Sequence, residues 1–380
     1  MRKMIENILT KIQKLCGSKN IEYPEIDNNR HRIAVKEKDY TTNYLFSVPI
    51  RQARSLELVN LHWKRKKGTW ITQGTLQDSI IQVQSDAIIL SRPKRTFKLF
   101  FQESESFKEE NGWLNSPRMH IKPTPNGVMV LYQVKAEDSA KFCLMPDYYD
   151  YEISKSHQYF SLMGTKFKPE ITISCLYFKG KDNVFSPLEL KFQKEDANQF
   201  IFEFQKAVQV EGEIGFEVNL YEEKLFQDTP VIEKRSKDNN AFCSTYFLGH
   251  TPNLGEQRIY SKLMLHNLQD FLHQRIQSIK LHIPKIAKSS NIEAYQMHER
   301  FCSFASTWEN KKPFGSTRIP ISYTEDYVII DLTDYMVENG QLQPRFGMLL
   351  KVPQEETGFC LLSTGDSCAY PIFLEIKCVR

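Results

Sequence analysis

The sequence predicts an all-β chain: two tandem antiparallel β-sandwich domains, jelly-roll-like, behind a short N-terminal helix. Three observations carry this expectation. Beyond Pro24, apolar residues recur at a period of two in short runs, the spacing that puts alternate side chains on one face of a strand. Polar turn clusters such as KRKKG (64–68) and SRPKR (91–95) separate the runs. The 25 Phe and 17 Tyr belong to residue types enriched in strands.

The first segment differs from the rest. Ile5, Ile8, Ile12 and Leu15 recur at steps of three and four until Gly17, which predicts a helix over 1–20. Its apolar stripe either packs on the chain's own body or makes an oligomerisation contact. From 24 to 232 a first sandwich is expected. Its strands are read at YLFSVPI (44–50), LELVNLHW (56–63), TWITQGTL (69–76), DSIIQV (78–83) and TFKLFF (96–101). A long polar loop is expected over 102–117, and strands resume at GVMVLYQV (127–134), PEITISCLYF (169–178), LELKF (188–192) and QFIFEF (199–204). In EIGFEVNLYEE (213–223), Ile214, Phe216, Val218 and Leu220 alternate with Glu213, Glu217 and Asn219, the pattern of a half-buried antiparallel strand.

The polar stretch EKRSKDNN (233–240) reads as a junction. A second sandwich over 238–380 follows, with strands at RIYSKLML (258–265), IQSIKLHI (276–283), IEAYQMH (292–298), YVIIDL (327–332), FGMLLKV (346–352), GFCLL (358–362) and PIFLEIKC (371–378). Only LQDFLH (268–273) and TDYMVENG (333–340) read as short helical turns.

Charge narrows the functional classes. Residues 1–100 hold 19 Lys and Arg against 9 Asp and Glu, while the remaining 280 hold 31 against 37. Only the N-terminal quarter is therefore suited to an anionic partner. The opening MRKMIENILTKIQKLCG lacks an uninterrupted apolar stretch, so neither a signal peptide nor membrane insertion is expected. Eight Cys without a C-x-x-C pair fit synthesis in a reducing cytoplasm. No P-loop, dinucleotide fingerprint or His-Glu-x-x-His occurs, so no cofactor, metal or specific nucleic acid is expected.

In the C-terminal third, RIQSIKLHIP, SFASTWENKKP, VIIDLTDYMVENG, RFGMLLK and GFCLLSTGDSCAYPIFLEIK follow one another in order after RIYSKLML. This series resembles the DNRLRE-domain family, β-sandwich modules of bacterial surface proteins related to carbohydrate-binding modules. Thr307, Trp308 and Pro313 match its Thr-Trp segment; Phe301 or Phe304 stands where the family has a first Trp, and the Trp expected after Met336 is missing. The resemblance implies a bacterial or bacteriophage origin and work outside the cell in recognition or construction. It also implies that Trp308 anchors the core at a strand end.

Four constellations are candidates for chemistry or binding. The stretch STGDSC (363–368) carries Gly-Asp-Ser, which surrounds the reactive serine in some hydrolases. Here Cys368-Ala369 follows Ser367 and no Gly-x-Ser-x-Gly elbow is present; a structural turn is expected and no catalytic residue is assigned. Asp331 is expected to end a strand and Thr333 to cap the following helical turn. Lys64, Arg65, Lys66 and Lys67, with Arg92, Lys94, Arg95 and Lys98, either form one patch for an acidic glycan or are solvated hairpin tips. Tyr148, Tyr149, Asp150 and Tyr151 either lie against sugar rings or pack into an edge strand. Together these readings lead to a non-enzymatic structural or recognition protein of a bacterial or bacteriophage extracellular assembly. It would be made in the cytoplasm and released in or on a particle, with self-association or assembly partners. The alternative is a freestanding carbohydrate-binding module for acidic glycans, and a serine hydrolase ranks last.

Overall fold

A computed structural model describes residues 21–22, 31–36, 38–50, 61–74, 78–147, 151–165, 168–221 and 225–380. The chain is all-β, and among the described residues its antiparallel sheets are joined by no helical segment longer than Leu265–Phe271. The expected N-terminal helix, with Ile5, Ile8, Ile12 and Leu15, lies outside the described residues, as do Tyr148, Tyr149 and Asp150. Two compact units form: Gln52–Glu223 with Phe242–Thr245, and a second comprising Met1–Arg51, Lys224–Ala241 and Tyr246–Arg380.

The unit containing Gln52–Glu223 is a sandwich. One sheet runs in the order Leu188–Asp196, Gln199–Lys206, Ala140–Pro146, Arg95–Phe101, Ala87–Arg92, Ile80–Val83, Thr69–Gln73 and Lys64–Lys66. The other is centred on Lys168–Gly180, Gly212–Leu220 and Gly127–Val134. Their inner faces share one core that includes Ile88, Leu99, Phe142 and Phe204 from the first sheet and Val130, Phe160, Ile173 and Phe216 from the second. Rings meet across the interface: Phe142 and Phe216 at 5.0 Å between centroids, Phe160 and Phe202 at 4.7 Å.

Alternation in Gly212–Leu220 places Ile214, Phe216, Val218 and Leu220 in this core. The opposite face is not solvated as the sequence predicts: Glu217 is 0% and Asn219 8% exposed. The segment Phe242–Thr245 covers it. Ser244 donates its amide to Ser174 Oγ at 2.8 Å, and Ser174 stands opposite Glu217 in the ladder. Asn219 Nδ2 in turn donates to Glu217 Oε2 at 2.5 Å. A polar residue in a period-two run marks the face away from the core, and here that face acquires a second cover.

In the other unit one long strand joins two groups of strands. The strand Ile276–Lys288 pairs through its first half with Phe373–Val379 and Tyr327–Asp331. From Lys285 onward it pairs with Phe359–Ser363, through an irregularity between Lys285 and Ala287. Such a bulge bends a strand and increases its twist, so the two halves enclose a single core that includes Leu281, Ile330, Leu374, Leu248, Ile259 and Leu350.

The units depart from the expected division at 232–238. Tyr40–Phe46 pairs with Phe373–Val379, and Phe226–Ile232 pairs with Gly255–Leu263. Period-two patterning identifies strands but not partners, and these partners are remote in sequence. The supposed junction is a built loop: Asn240 Nδ2 donates to Pro230 O at 3.1 Å, and Asn239 Nδ2 to Ser303 O at 2.6 Å. The expected loop at 102–117 contains a hairpin, Lys108–Glu110 with Trp113–Asn115. Its turn is Asn111-Gly112, with φ of 54° and 83°, the two left-handed positions that an Asn-Gly turn supplies.

Candidate functional site

The STGDSC loop is sealed. Ser367 is 0% exposed, and its hydroxyl accepts the Tyr370 amide at 3.1 Å. The Asp366 amide donates to Thr364 Oγ1 at 3.1 Å. The loop is anchored from below by Asp228 on Phe226–Ile232, whose Oδ2 accepts the Gly365 amide at 2.6 Å. A Cβ at position 365 would stand 2.9 Å from Phe226 Cβ and 3.0 Å from Asp228 Oδ2, so glycine permits this approach. The Gly-Asp-Ser triplet thus closes a turn over a buried carboxylate.

Trp308 is half-buried and packs beside Tyr260, Met297, Phe301 and Leu349. The Arg258 guanidinium lies 5.2 Å and Lys311 Nζ 4.7 Å from its ring centre. Tyr151 is also half-buried, with its ring 6.1 Å from that of Phe97.

The two basic clusters do not meet. Lys64–Lys66 and Thr69–Gln73 turn at Lys67-Gly68, and Ala87–Arg92 and Arg95–Phe101 turn at Pro93-Lys94. Between them Trp70 pairs with Val83, while Ile80 pairs with Ser91. Following the antiparallel strands from one turn to the other places them at opposite ends of the sheet. Lys64, Arg65, Lys66 and Lys67 are exposed, whereas Arg95 is half-buried and donates to Lys94 O at 3.0 Å. Arg92 is paired with Glu170. The joined patch that the sequence left open for an acidic glycan does not form, because the first and fourth turns of an antiparallel meander fall at opposite ends.

A groove of about 520 Å³ lies on the outer face of the sheet formed by Ile276–Lys288, Phe373–Val379 and Tyr327–Asp331. Alternation builds it. Ile279, Leu281, Leu374 and Ile376 fill the core with 0% exposure, which turns Lys280, Glu375 and Lys377 outward. Register then sets Lys280 opposite both Asp331 and Glu375, and Lys377 opposite Ser278. Asp334 completes the charged lining.

These groups are held. Asp331 Oδ1 accepts the Thr333 amide at 3.0 Å and its hydroxyl at 2.6 Å. Thr333 Oγ1 accepts the Ile279 amide at 3.1 Å. Thr333 is therefore not the cap expected from sequence: Leu332 occupies that position without a side-chain bond. The Thr333 hydroxyl is engaged by the neighbouring strand instead, and Asp331 takes the first helical amide. Lys377 Nζ lies 4.1 Å from the Tyr40 ring centre.

Glu375 is ion-paired with His282, Nε2 to Oε2 at 3.2 Å, and the imidazole stacks on Phe373 at 4.3 Å and 12°. Burial pushes the Glu375 carboxyl up, but its bond to His282 and the charges of His282, Lys280 and Lys377 outweigh this and hold it below the usual 4.5. A carboxylate with a lowered folded-state pKa stabilises above its unfolded pKa, and that contribution is lost as pH falls through the folded value. Glu375→Gln is therefore expected to lower the urea midpoint of this unit near neutrality. The gap to the parent should close as pH drops below 4.5, and a gap independent of pH would refute the assignment.

Among the described residues no group of three His, Cys, Asp or Glu is placed to hold a metal ion, and no helix is long and apolar enough to cross a membrane. No protein-family model and no curated protein matches the chain, so the DNRLRE resemblance stands on the quoted motifs alone. Among solved structures, it is similar to the N-terminal domain of an adhesin of Streptococcus gordonii at 7% identity, covering 96% of this chain and 85% of that one, with a TM-score of 0.14. It is also similar to an exo-beta-1,3-galactanase from Phanerochaete chrysosporium with beta-1,3-galactotriose, at 8% identity, 89% and 100% coverage and a TM-score of 0.15. At these scores neither likeness carries an argument.

Proposed function

We propose that this chain is a non-catalytic structural and recognition protein of an extracellular assembly, as the DNRLRE resemblance implies. The sealed Ser367 carries the non-catalytic reading. A serine nucleophile needs a base in reach and an open face for the acyl group. Here the hydroxyl is committed to Tyr370 and has no exposure. The packed aromatic and aliphatic cores support a protein that acts through its outer faces and loop ends.

Construction is tested by light scattering on the full chain and on a chain lacking residues 1–20. The expected result is a defined oligomer for the full chain and a smaller species after truncation, because the stripe of Ile5, Ile8, Ile12 and Leu15 is read as an assembly contact. Monomers in both samples, at all concentrations, would remove the assembly part of the proposal.

A further inference from the structure

We infer that the groove between Asp331, Lys280 and Glu375 binds a neutral, hydroxyl-rich ligand of the saccharide class. The inference rests on the recognition reading above and supplies its site and ligand chemistry.

The arrangement of donors and acceptors is the first argument. Asp331, Lys280 and Glu375 form one cross-strand row, with neighbours about 5 Å apart. Ser278 and Lys377 form the next row, about 7 Å along the strands. Acceptors and donors therefore alternate in both directions. A hydroxyl both donates and accepts, so a ligand bearing several hydroxyls can meet a carboxylate and an ammonium with the same kind of group.

Charge is the second argument. The lining holds three carboxylates, Asp331, Asp334 and Glu375, and two ammonium groups, Lys280 and Lys377. An anionic ligand would face the carboxylates and a cationic one the lysines, each at a cost in unpaired or repelling charge. A neutral polar ligand meets neither penalty. An apolar ligand is disfavoured because it would strip water from these charges without replacing their hydrogen bonds.

The third argument is preparation. The groove volume of about 520 Å³ falls within the roughly 300–1,000 Å³ of small-ligand sites. Its floor is sheet rather than loop, and Asp331, Glu375 and Lys377 are held by Thr333, His282 and Tyr40 respectively. Side chains already locked by neighbours lose less freedom when a ligand arrives.

The test is an array of neutral, uronic-acid-bearing and amine-bearing oligosaccharides probed with the full chain, followed by titration of the retained glycans. Asp334→Ala and Lys377→Ala serve as groove variants, with their thermal unfolding recorded. A fourfold alanine replacement of Lys64, Arg65, Lys66 and Lys67, in the other unit, serves as the control. Neutral oligosaccharides are expected to be retained. Each groove variant should weaken them about 3- to 10-fold, the loss of one net hydrogen bond, while remaining folded, and the fourfold variant should bind as the parent does. Retention of no neutral glycan, or neutral binding untouched by both groove variants, would overturn the inference. Acidic glycans retained through Lys64–Lys67 in place of any neutral glycan would also overturn it, yet would leave the recognition reading standing.

Discussion

Phe142→Ala is expected to destabilise the unit containing Gln52–Glu223 by about 3–5 kcal/mol, the range for truncating a buried phenylalanine. Phe142 is 3% exposed and stands where the two sheets meet. Its ring lies 5.0 Å from Phe216, 5.6 Å from Tyr132, 6.0 Å from Phe204 and 6.4 Å from Phe101. Phe204 and Phe216 are stacked against each other at 4.4 Å, which limits how far they can collapse into the vacated space. Edge-to-face contacts add to the area term, so the cost belongs at the upper part of the range. Urea unfolding followed by circular dichroism checks it. A shift below about 1 kcal/mol would mean that the sheets do not pack through this ring.

The second large effect is predicted at Asp228. Replacing it with alanine should cost the other unit about 2–3 kcal/mol, because the Gly365 amide is left without its acceptor inside the protein. Asp228 is 4% exposed, and the bond it accepts is 2.6 Å long. Asp228→Asn retains a carbonyl oxygen and should cost less, so the order parent, Asn, Ala is the signature of the hydrogen bond. Equal losses for both variants would show that charge matters instead. The neighbouring Tyr246 hydroxyl is pushed well up, first by burial and then by the charge of Asp228. Removing that charge should let it fall part of the way back, which ultraviolet titration can follow.

Period-two patterning made most strands legible. Gly127–Val134 and Phe359–Ser363 lie where the alternation predicts them. Pairing was not legible. Tyr40–Phe46 has no local signal for its partner Phe373–Val379, since any amphipathic strand offers the same backbone groups. Phe226–Ile232 hides in a run broken by Asp228 and Pro230, and both of these are buried. The Asn111-Gly112 turn was present in the residues, but the polar composition around it reads as loop.

The groove illustrates the same limit. Lys280 in IQSIKLHI and Glu375 and Lys377 in PIFLEIKC are marked by alternation as outward-facing. Only the register brings them beside Asp331. Asp331 and Thr333 were legible as a strand end leading into a helical turn. The direction of their hydrogen bonds was not, because the Ile279 amide that engages Thr333 belongs to another strand.

The most direct measurement is native labelling with a fluorophosphonate probe, read by mass spectrometry at the peptide containing Ser367. A hydroxyl that is fully buried and accepts the Tyr370 amide should remain unmodified in the folded chain, even after long incubation. Stoichiometric modification of Ser367 in the folded protein would contradict the account and return the chain to the hydrolases.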